Sequence, residues 1–274
     1  MLPCTKRMVD LHHHLLPGLD DGPRDLETSV AMARMAALDG ITHVVATPHA
    51  NGRYPFDPAA NDERLAALKQ AIAAESIDLT VATGCDFHVS YDNVLDAIAH
   101  PHKYTLNGTD YLLVELQDHV IPPHVGETFY ELRLAGMVPI LTHPERNPVL
   151  LKDSGRLADW LRNEMLVQIT AGSVVGRMGA AAEKMAHTLL ANRWVHFIAT
   201  DAHNLTSRPP LMREACNLIA RRYGAEYAHL LCTANPQAVF NGMPLPDQQP
   251  PRRLYDDDEY LDAPWWKRLF KGRG

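Results

Sequence analysis

The stretch DLHHHLLPGLDDG, residues 10–22, puts three histidines and three carboxylates (Asp10, Asp20 and Asp21) close together near the start of the chain. Imidazole and carboxylate groups at that density are either metal ligands or a solvated surface patch, and the rest of the chain discriminates between the two. Short apolar or β-branched runs recur, and most run into the same residue types. VVAT leads to His49, VATG to Asp86, YLLV to Glu115, PILT to His143, and FIAT to Asp201 and His203. Successive side chains of a strand point to opposite faces, so His12 and His14 share a face and His13 turns away. We therefore read His12 and His14 as a ligand pair and His13 as packing. Asp201 and His203 repeat the same spacing. Asp21 lies in the loop beyond the first run, with Asp20 as a weaker neighbour.

The candidate ligands are five histidines and four carboxylates: His12, His14, His49, His143, His203, Asp21, Asp86, Glu115 and Asp201. One zinc ion rarely needs more than four ligands, so nine point to two or three divalent ions with shared carboxylates. Mixed imidazole and carboxylate donors suit manganese, iron or zinc and argue against calcium, which takes oxygen ligands. Three dications against four carboxylates leave a local charge of about +2, which favours a phosphate dianion. Closely spaced metal ions clamp the attacking and leaving oxygens of a phosphoryl group. Arg146 in HPER and Arg208 in DAHNLTSRPP each follow a candidate ligand by a few residues. Arginine makes bidentate contacts to phosphate, so both are read as phosphate clamps.

These residues need a scaffold that gathers them. The apolar runs are MVDLH (8–12), THVVAT (42–47), LTVATG (79–84), YLLVEL (111–116), MVPILTH (137–143), LVQIT (166–170) and VHFIATD (195–201), spaced about one βα unit apart. Between the first two, Leu26, Val30, Ala33 and Ala37 form a helical stripe that stops at Gly40, where a capping glycine belongs. Segments 58–74, 124–136, 154–165, 177–192 and 209–223 read as further helices. Continuous apolar strands alternating with helices make a parallel sheet. Seven such units predict a closed or nearly closed β/α barrel, with a doubly wound open sheet as the competitor. In either fold the active site forms at the carboxyl ends of the strands. Six of the seven runs deliver a histidine or carboxylate there, and LVQIT alone does not.

The chain has 274 residues, 46% of them apolar, and a formal charge of −7. That supports a large core and argues against nucleic acid as a partner, because such binding needs a basic surface. Cys4, Cys85, Cys216 and Cys232 form no CxxC pair, which fits a reducing compartment better than a disulfide framework. The N-terminus has no apolar signal region, and a cytoplasmic protein is expected. We place one domain over residues 1–242 and a tail, extended or disordered, over 243–274. Within the tail, Trp265, Trp266, Leu269 and Phe270 alternate with Lys267, Arg268 and Lys271, a pattern that also suits peripheral contact with a membrane surface.

The ordered set DLHHHLLPGLDDGP, ATPH, GCDF, VEL, THPERN and TDAHN followed by SRPP resembles the PHP (polymerase and histidinol phosphatase) superfamily over residues 8–242. The likeness is strongest to the metal-dependent protein-tyrosine phosphatases of bacterial capsule and exopolysaccharide systems. The resemblance implies an α/β fold, a distorted seven-stranded β/α (TIM-like) barrel, and a trinuclear centre, manganese first, with iron or zinc as alternatives. It implies that His12, His14, Asp86 and Asp201 hold one ion, that Asp86, Glu115 and His143 hold a second, and that Asp21, His49 and His203 hold the third. Arg146 and Arg208 match phosphate-binding positions. The implied substrate is phosphotyrosine on a cognate bacterial tyrosine kinase. The implied reaction is attack by a metal-bridged hydroxide without a phospho-enzyme, with Asp201 and His203 as the nearest candidates for an optional acid. The bridging position, commonly glutamate, is Asp86 here. A homo-oligomer is a further expectation.

Three other readings compete. A cysteine phosphatase would use Cys216 and Arg222, which have C-x5-R spacing, but that stretch is helical in pattern and has no glycine for a phosphate loop. The same metal site could instead serve a small phosphomonoester such as histidinol phosphate. A non-catalytic, metal-stabilised scaffold that binds a kinase would predict a broken ligand set.

Overall fold

Apolar runs became parallel strands where the pattern placed them, but in nine segments rather than seven among the described residues of this computed structural model, 7–254. The strands are β1 (Met8–His13), β2 (Ile41–Ala46), β3 (His49–Ala50), β4 (Thr80–Thr83), β5 (Asp86–His88), β6 (Tyr111–Glu115), β7 (Val138–Thr142), β8 (Leu166–Thr170) and β9 (Phe197–Ala199). One sheet has the order β1-β2-β4 and the other β3-β5-β6-β7-β8-β9, and every pair is parallel. The extra segments arise because the second and third runs break and resume. The first break falls at Pro48, which has no N–H for a ladder. The second falls at Gly84, where a Cβ would stand 2.7 Å from Leu106 Cδ2. Backbone bonds continue through both breaks: Gly84 N donates to Ala46 O at 2.9 Å and Asp86 N to Pro48 O at 3.1 Å.

The last strand returns to the first. Asp201 N donates to His12 O at 2.8 Å, His14 N donates to Ala202 O at 2.9 Å, and His13 and Ala202 form an isolated parallel bridge. Asp10, fully buried, accepts from Thr200 N at 2.9 Å and from Thr200 Oγ1. These contacts carry His12 and His14 next to Asp201 and His203. Side chains from both sheets, among them Val9, Leu11, Val45, Ala82, Leu113, Ile140 and Phe197, meet in one buried cluster.

Helices α1 (Leu26–Asp39), α2 (Pro58–Ala74), α3 (Tyr91–Ala99), α4 (Val125–Leu134), α5 (Gly155–Arg162), α6 (Ala171–Val174), α7 (Ala180–Ala191), α8 (Arg213–Tyr223), α9 (Ala225–His229) and α10 (Asn235–Phe240) connect or follow the strands. Local signals set several of their ends. Asp25 accepts from Thr28 N at the start of α1, and Gly40 ends that helix with a left-handed φ of 94°. Asp57 caps α2 ahead of Pro58. The buried face of α1 is Ser29, Val30, Met32, Ala33 and Ala36, while Leu26 is 37% exposed, so the stripe read from the sequence is rotated.

One expectation about the cysteines is overturned. Cys216 in α8 and Cys232 form a disulfide, which brings together two helical segments 16 residues apart. Fold proximity, invisible in the scattered spacing, made the pair. Cys85 is free and buried. Residues 243–254 form no helix or strand, yet they pack against the preceding chain. Tyr111 Oη donates to Met243 O at 2.9 Å, Trp194 Nε1 to Arg252 O at 2.9 Å, and Leu254 is buried. The aromatic and basic end of the tail, with its expected membrane contact, lies outside the described residues. Among those described, no helix is long and apolar enough to cross a membrane.

Candidate metal centre

All nine candidate ligands meet at the carboxyl ends of the strands. They form four overlapping groups, each with donor atoms within 4.8 Å of one another. The groups are His14, Asp21, His49 and His203; His12, Asp86 and His143; His12, His14 and Asp201; and His49, Asp86 and Glu115. The grouping differs in detail from the one implied by resemblance. His143 lies with His12 and Asp86, although its Nε2 is also 3.5 Å from Glu115 Oε1, and His14 joins the Asp21 set. His88, two residues beyond Asp86, belongs to none of these groups.

Strand geometry explains the histidine triplet. The His12 and His14 rings face the centre with centroids 5.5 Å apart. His13 is buried elsewhere, where burial pushes its pKa down to about 3. Three of the five imidazoles are held by their other nitrogen, the arrangement that orients a metal-binding histidine. His12 Nδ1 meets Gln168 Oε1 at 3.0 Å, His14 Nδ1 meets Asp20 Oδ2 at 2.6 Å, and His203 Nδ1 meets the Asp201 carbonyl at 3.0 Å. The Nε2 atoms of all three are buried without a hydrogen-bond partner, and so are both Asp86 carboxylate oxygens. Buried polar atoms are normally paired. Five such atoms converging on one place is the donor set a cluster of cations would satisfy, so the residues fit the implied metal ions.

Two of the supporting residues were missed or undervalued in the sequence. LVQIT, read as carrying nothing, supplies Gln168, a fully buried amide in an apolar strand. That polar interruption was the available signal. Asp20, read as the weaker neighbour of Asp21, holds His14 and also accepts from His49 N at 3.2 Å.

Electrostatics divides the centre. Burial opposes charge on His12, but Asp86 and Asp201 raise its pKa to about 9. Against the same burial, Asp21 and Asp86 raise His49 to about 11. Burial would lift Asp86, yet His12 and His49 hold it well below the usual carboxylate range. Burial and the neighbouring Asp86 charge raise Glu115 to about 8. His143 falls to about 3 through burial and Arg146, and His203 to about 4 through burial and His14. Protons on His12 and His49 therefore balance the carboxylates, and cations bound there would replace them.

Arg146 and Arg208 both donate to Asp201 Oδ2. Two guanidinium groups from different loops thus converge at the edge of the centre. Their loops are built for this. Glu145, fully buried, accepts from Thr170 N at 2.9 Å and Ser173 Oγ at 2.7 Å, which pins the turn carrying Arg146. Asn204 Oδ1 accepts from the backbone N–H groups of Thr206, Ser207 and Arg208, which shapes the Arg208 loop. His143 and Asp201 adopt left-handed backbone, with φ of 33° and 52°. Such strain in non-glycine residues gathers at functional sites. Cys216, by contrast, is buried in α8 and disulfide-bonded, so no nucleophile stands at the C-x5-R stretch.

A parallel α/β scaffold with histidines, carboxylates and two arginines at its strand ends has the makings of a metal-dependent hydrolase. Residues 8–241 match the model of the family described as "Capsular polysaccharide synthesis, CpsB/CapC", and the chain belongs to that family. It is 33% identical over 246 residues to the tyrosine-protein phosphatase YwqE of Bacillus subtilis (strain 168), covering 89% of this chain and 96% of that one. It is 28% identical over 238 residues to the tyrosine-protein phosphatase CpsB of Streptococcus pneumoniae, covering 85% and 98%. The fold superposes with a TM-score of 0.84 on a structure from work on YwqE and CpsB, described as unique metal-dependent tyrosine phosphatases. That match covers 89% of this chain and 98% of the solved one at 33% identity.

Proposed function

We propose that this protein is a metal-dependent phosphomonoesterase that removes phosphate from phosphotyrosine on a protein. The observation that carries the reading is the set of buried imidazole and carboxylate atoms without hydrogen-bond partners beside two convergent arginines. The family match and the named phosphatases among its relatives support it. The scaffold is best read as one distorted seven-stranded barrel. The β1–β9 bonds and the hydrogen bonds through the strand breaks at Pro48 and Gly84 support that reading.

We assign His12, His14, Asp86 and Asp201, then Asp86, Glu115 and His143, then Asp21, His49 and His203 to two or three divalent ions, manganese first. When bound, such ions acidify water and stabilise negative charge on phosphoryl oxygens. Arg146 and Arg208 bind the non-bridging phosphoryl oxygens and strengthen that contact as charge develops. Asp201 stands between them and keeps both guanidinium groups turned inward. A phenolate is a good enough leaving group to depart without a dedicated acid. His203 and Asp201 are already engaged, with each other and with His12, His14 and Asp21. The proposed substrate is the cognate tyrosine kinase of a capsule or exopolysaccharide system, and the proposed location is cytoplasmic.

The test is hydrolysis of a phosphotyrosyl peptide by metal-stripped protein reloaded with Mn, Fe, Zn or Mg. Activity that needs metal, survives Cys216→Ser and disappears in His143→Ala supports the reading. Hydrolysis of histidinol phosphate but not of the peptide would move the substrate to metabolism. Tight metal binding with no hydrolysis would indicate a scaffold.

A further inference from the structure

Exposure around the centre is uneven. The side chains of His12, His14, Asp86 and Asp201 are at most 2% exposed and form its floor. Asp21 at 49%, Glu115 at 21%, His49 at 13%, Arg146 at 27% and Arg208 at 26% form its rim. A phosphoryl group held by the two arginines must therefore send its ester group outward past that rim. The aromatic side chain of Tyr54 stands beside His49 of that rim. The Tyr54 ring lies nearly parallel to that of His49, with planes 14° apart and centroids at 5.9 Å. Among the described tyrosine, phenylalanine and tryptophan residues, it is the one in ring contact with a histidine of the centre.

Its loop is fixed rather than merely nearby. Asn51 Oδ1 accepts from Arg53 N at 2.9 Å and Tyr54 N at 3.0 Å, and Asn51 N donates to Tyr54 O at 3.0 Å. Two residues on, Phe56 packs against the buried Tyr104 ring at 5.1 Å. The exposed Arg53 guanidinium lies 5.0 Å from the Tyr54 centroid and adds positive charge to the electron-rich ring. A half-exposed, immobilised tyrosine at the exit of an anion site offers a flat apolar surface at little entropic cost.

We propose that Tyr54 is a specificity residue that packs against the aryl ring of the ester, so that the centre favours aryl over alkyl phosphates. This inference rests on the phosphatase reading above. Ring–ring contact of this kind contributes about three- to tenfold in selectivity.

The test uses the full chain loaded with Mn(II), comparing wild type, Tyr54→Ala and Tyr54→Phe at measured metal content. The substrates are one peptide carrying phosphotyrosine or, at the same position, phosphoserine. Phenylphosphonate and methylphosphonate serve as non-hydrolysable probes, with binding followed by calorimetry. Tyr54→Ala is expected to lower the phosphotyrosine-to-phosphoserine ratio of kcat/KM about three- to tenfold, mainly through KM. It should weaken phenylphosphonate relative to methylphosphonate by a similar factor, and Tyr54→Phe should keep both ratios. Unchanged ratios in Tyr54→Ala would overturn the proposal. So would a parallel fall on both peptides with loss of bound metal, which would make Tyr54 a support for His49. A wild type that hydrolyses neither peptide would sink the phosphotyrosine reading, while the phosphonate ratio would still decide the role of Tyr54.

Discussion

Asp86 belongs to two donor groups at once, with His12 and His143 on one side and His49 and Glu115 on the other. Its Oδ2 is 3.0 Å from His49 Nδ1 and 3.5 Å from His12 Nε2. A carboxylate in that position joins the two halves of the centre, and its arm is one methylene shorter than glutamate. Asp86→Asn should therefore lower metal stoichiometry and reduce kcat/KM at least about 100-fold, whereas Asp86→Glu should keep the metal and much of the activity. Metal analysis beside kinetics checks this, and full occupancy in Asp86→Asn would contradict it. The arginines make a different prediction. Arg146→Ala removes a donor aimed at the phosphoryl group and should cost about 10²- to 10³-fold in kcat/KM with metal content intact. Arg146→Lys should restore little, because a point charge does not replace the planar fork.

At the scale of elements, His196 shows how a strand start depends on one proton. Its N–H donates to Val167 O at 2.9 Å, and its Nδ1 accepts from Val167 N at 3.1 Å, which joins the entry to β9 to β8. Burial holds its pKa down at about 4, so the ring is neutral when folded. The unfolded chain binds that proton more readily, so stability is lost as pH falls from about 6.5 toward 4. In His196→Asn the melting temperature should change less with pH across that window, and an unchanged slope would refute the assignment. The disulfide gives a second test. It closes a loop of 16 residues, and reducing it should cost about 3 kcal/mol of stability with activity retained. Equal melting with and without reductant would count against that bond.

Legibility in the sequence followed a physical divide at this same scale. Period-2 alternation separated His12 and His14 from His13, and apolar runs located the strands, because burial on both faces of a parallel strand leaves a strong pattern. The break at Gly84 was harder to read, since it depends on Leu106, a neighbour distant in sequence. Gln168, Glu145 and the Cys216–Cys232 pair were hidden for the same reason: their partners lie on other elements.

For the molecule as a whole, the meeting of β1 and β9 decides whether a centre exists. His12 and His14 come from one end of the chain and Asp201 and His203 from the other, and Asp10 with Thr200 fastens them. Asp10→Ala would leave Thr200 N and Oγ1 without that buried acceptor, at a cost of about 1–3 kcal/mol. Metal binding should weaken together with stability, which thermal melting with and without added metal would reveal. Stability lost with unaltered metal affinity would show that the seam does not organise the centre.

The most direct test of the central claim is metal-dependent hydrolysis of a phosphotyrosyl peptide by stripped and reconstituted protein. The account predicts no turnover without metal, restoration by a divalent ion, and loss in both His143→Ala and Arg146→Ala, with Cys216→Ser still active. Turnover that persists in stripped protein, or that depends on Cys216, would contradict it.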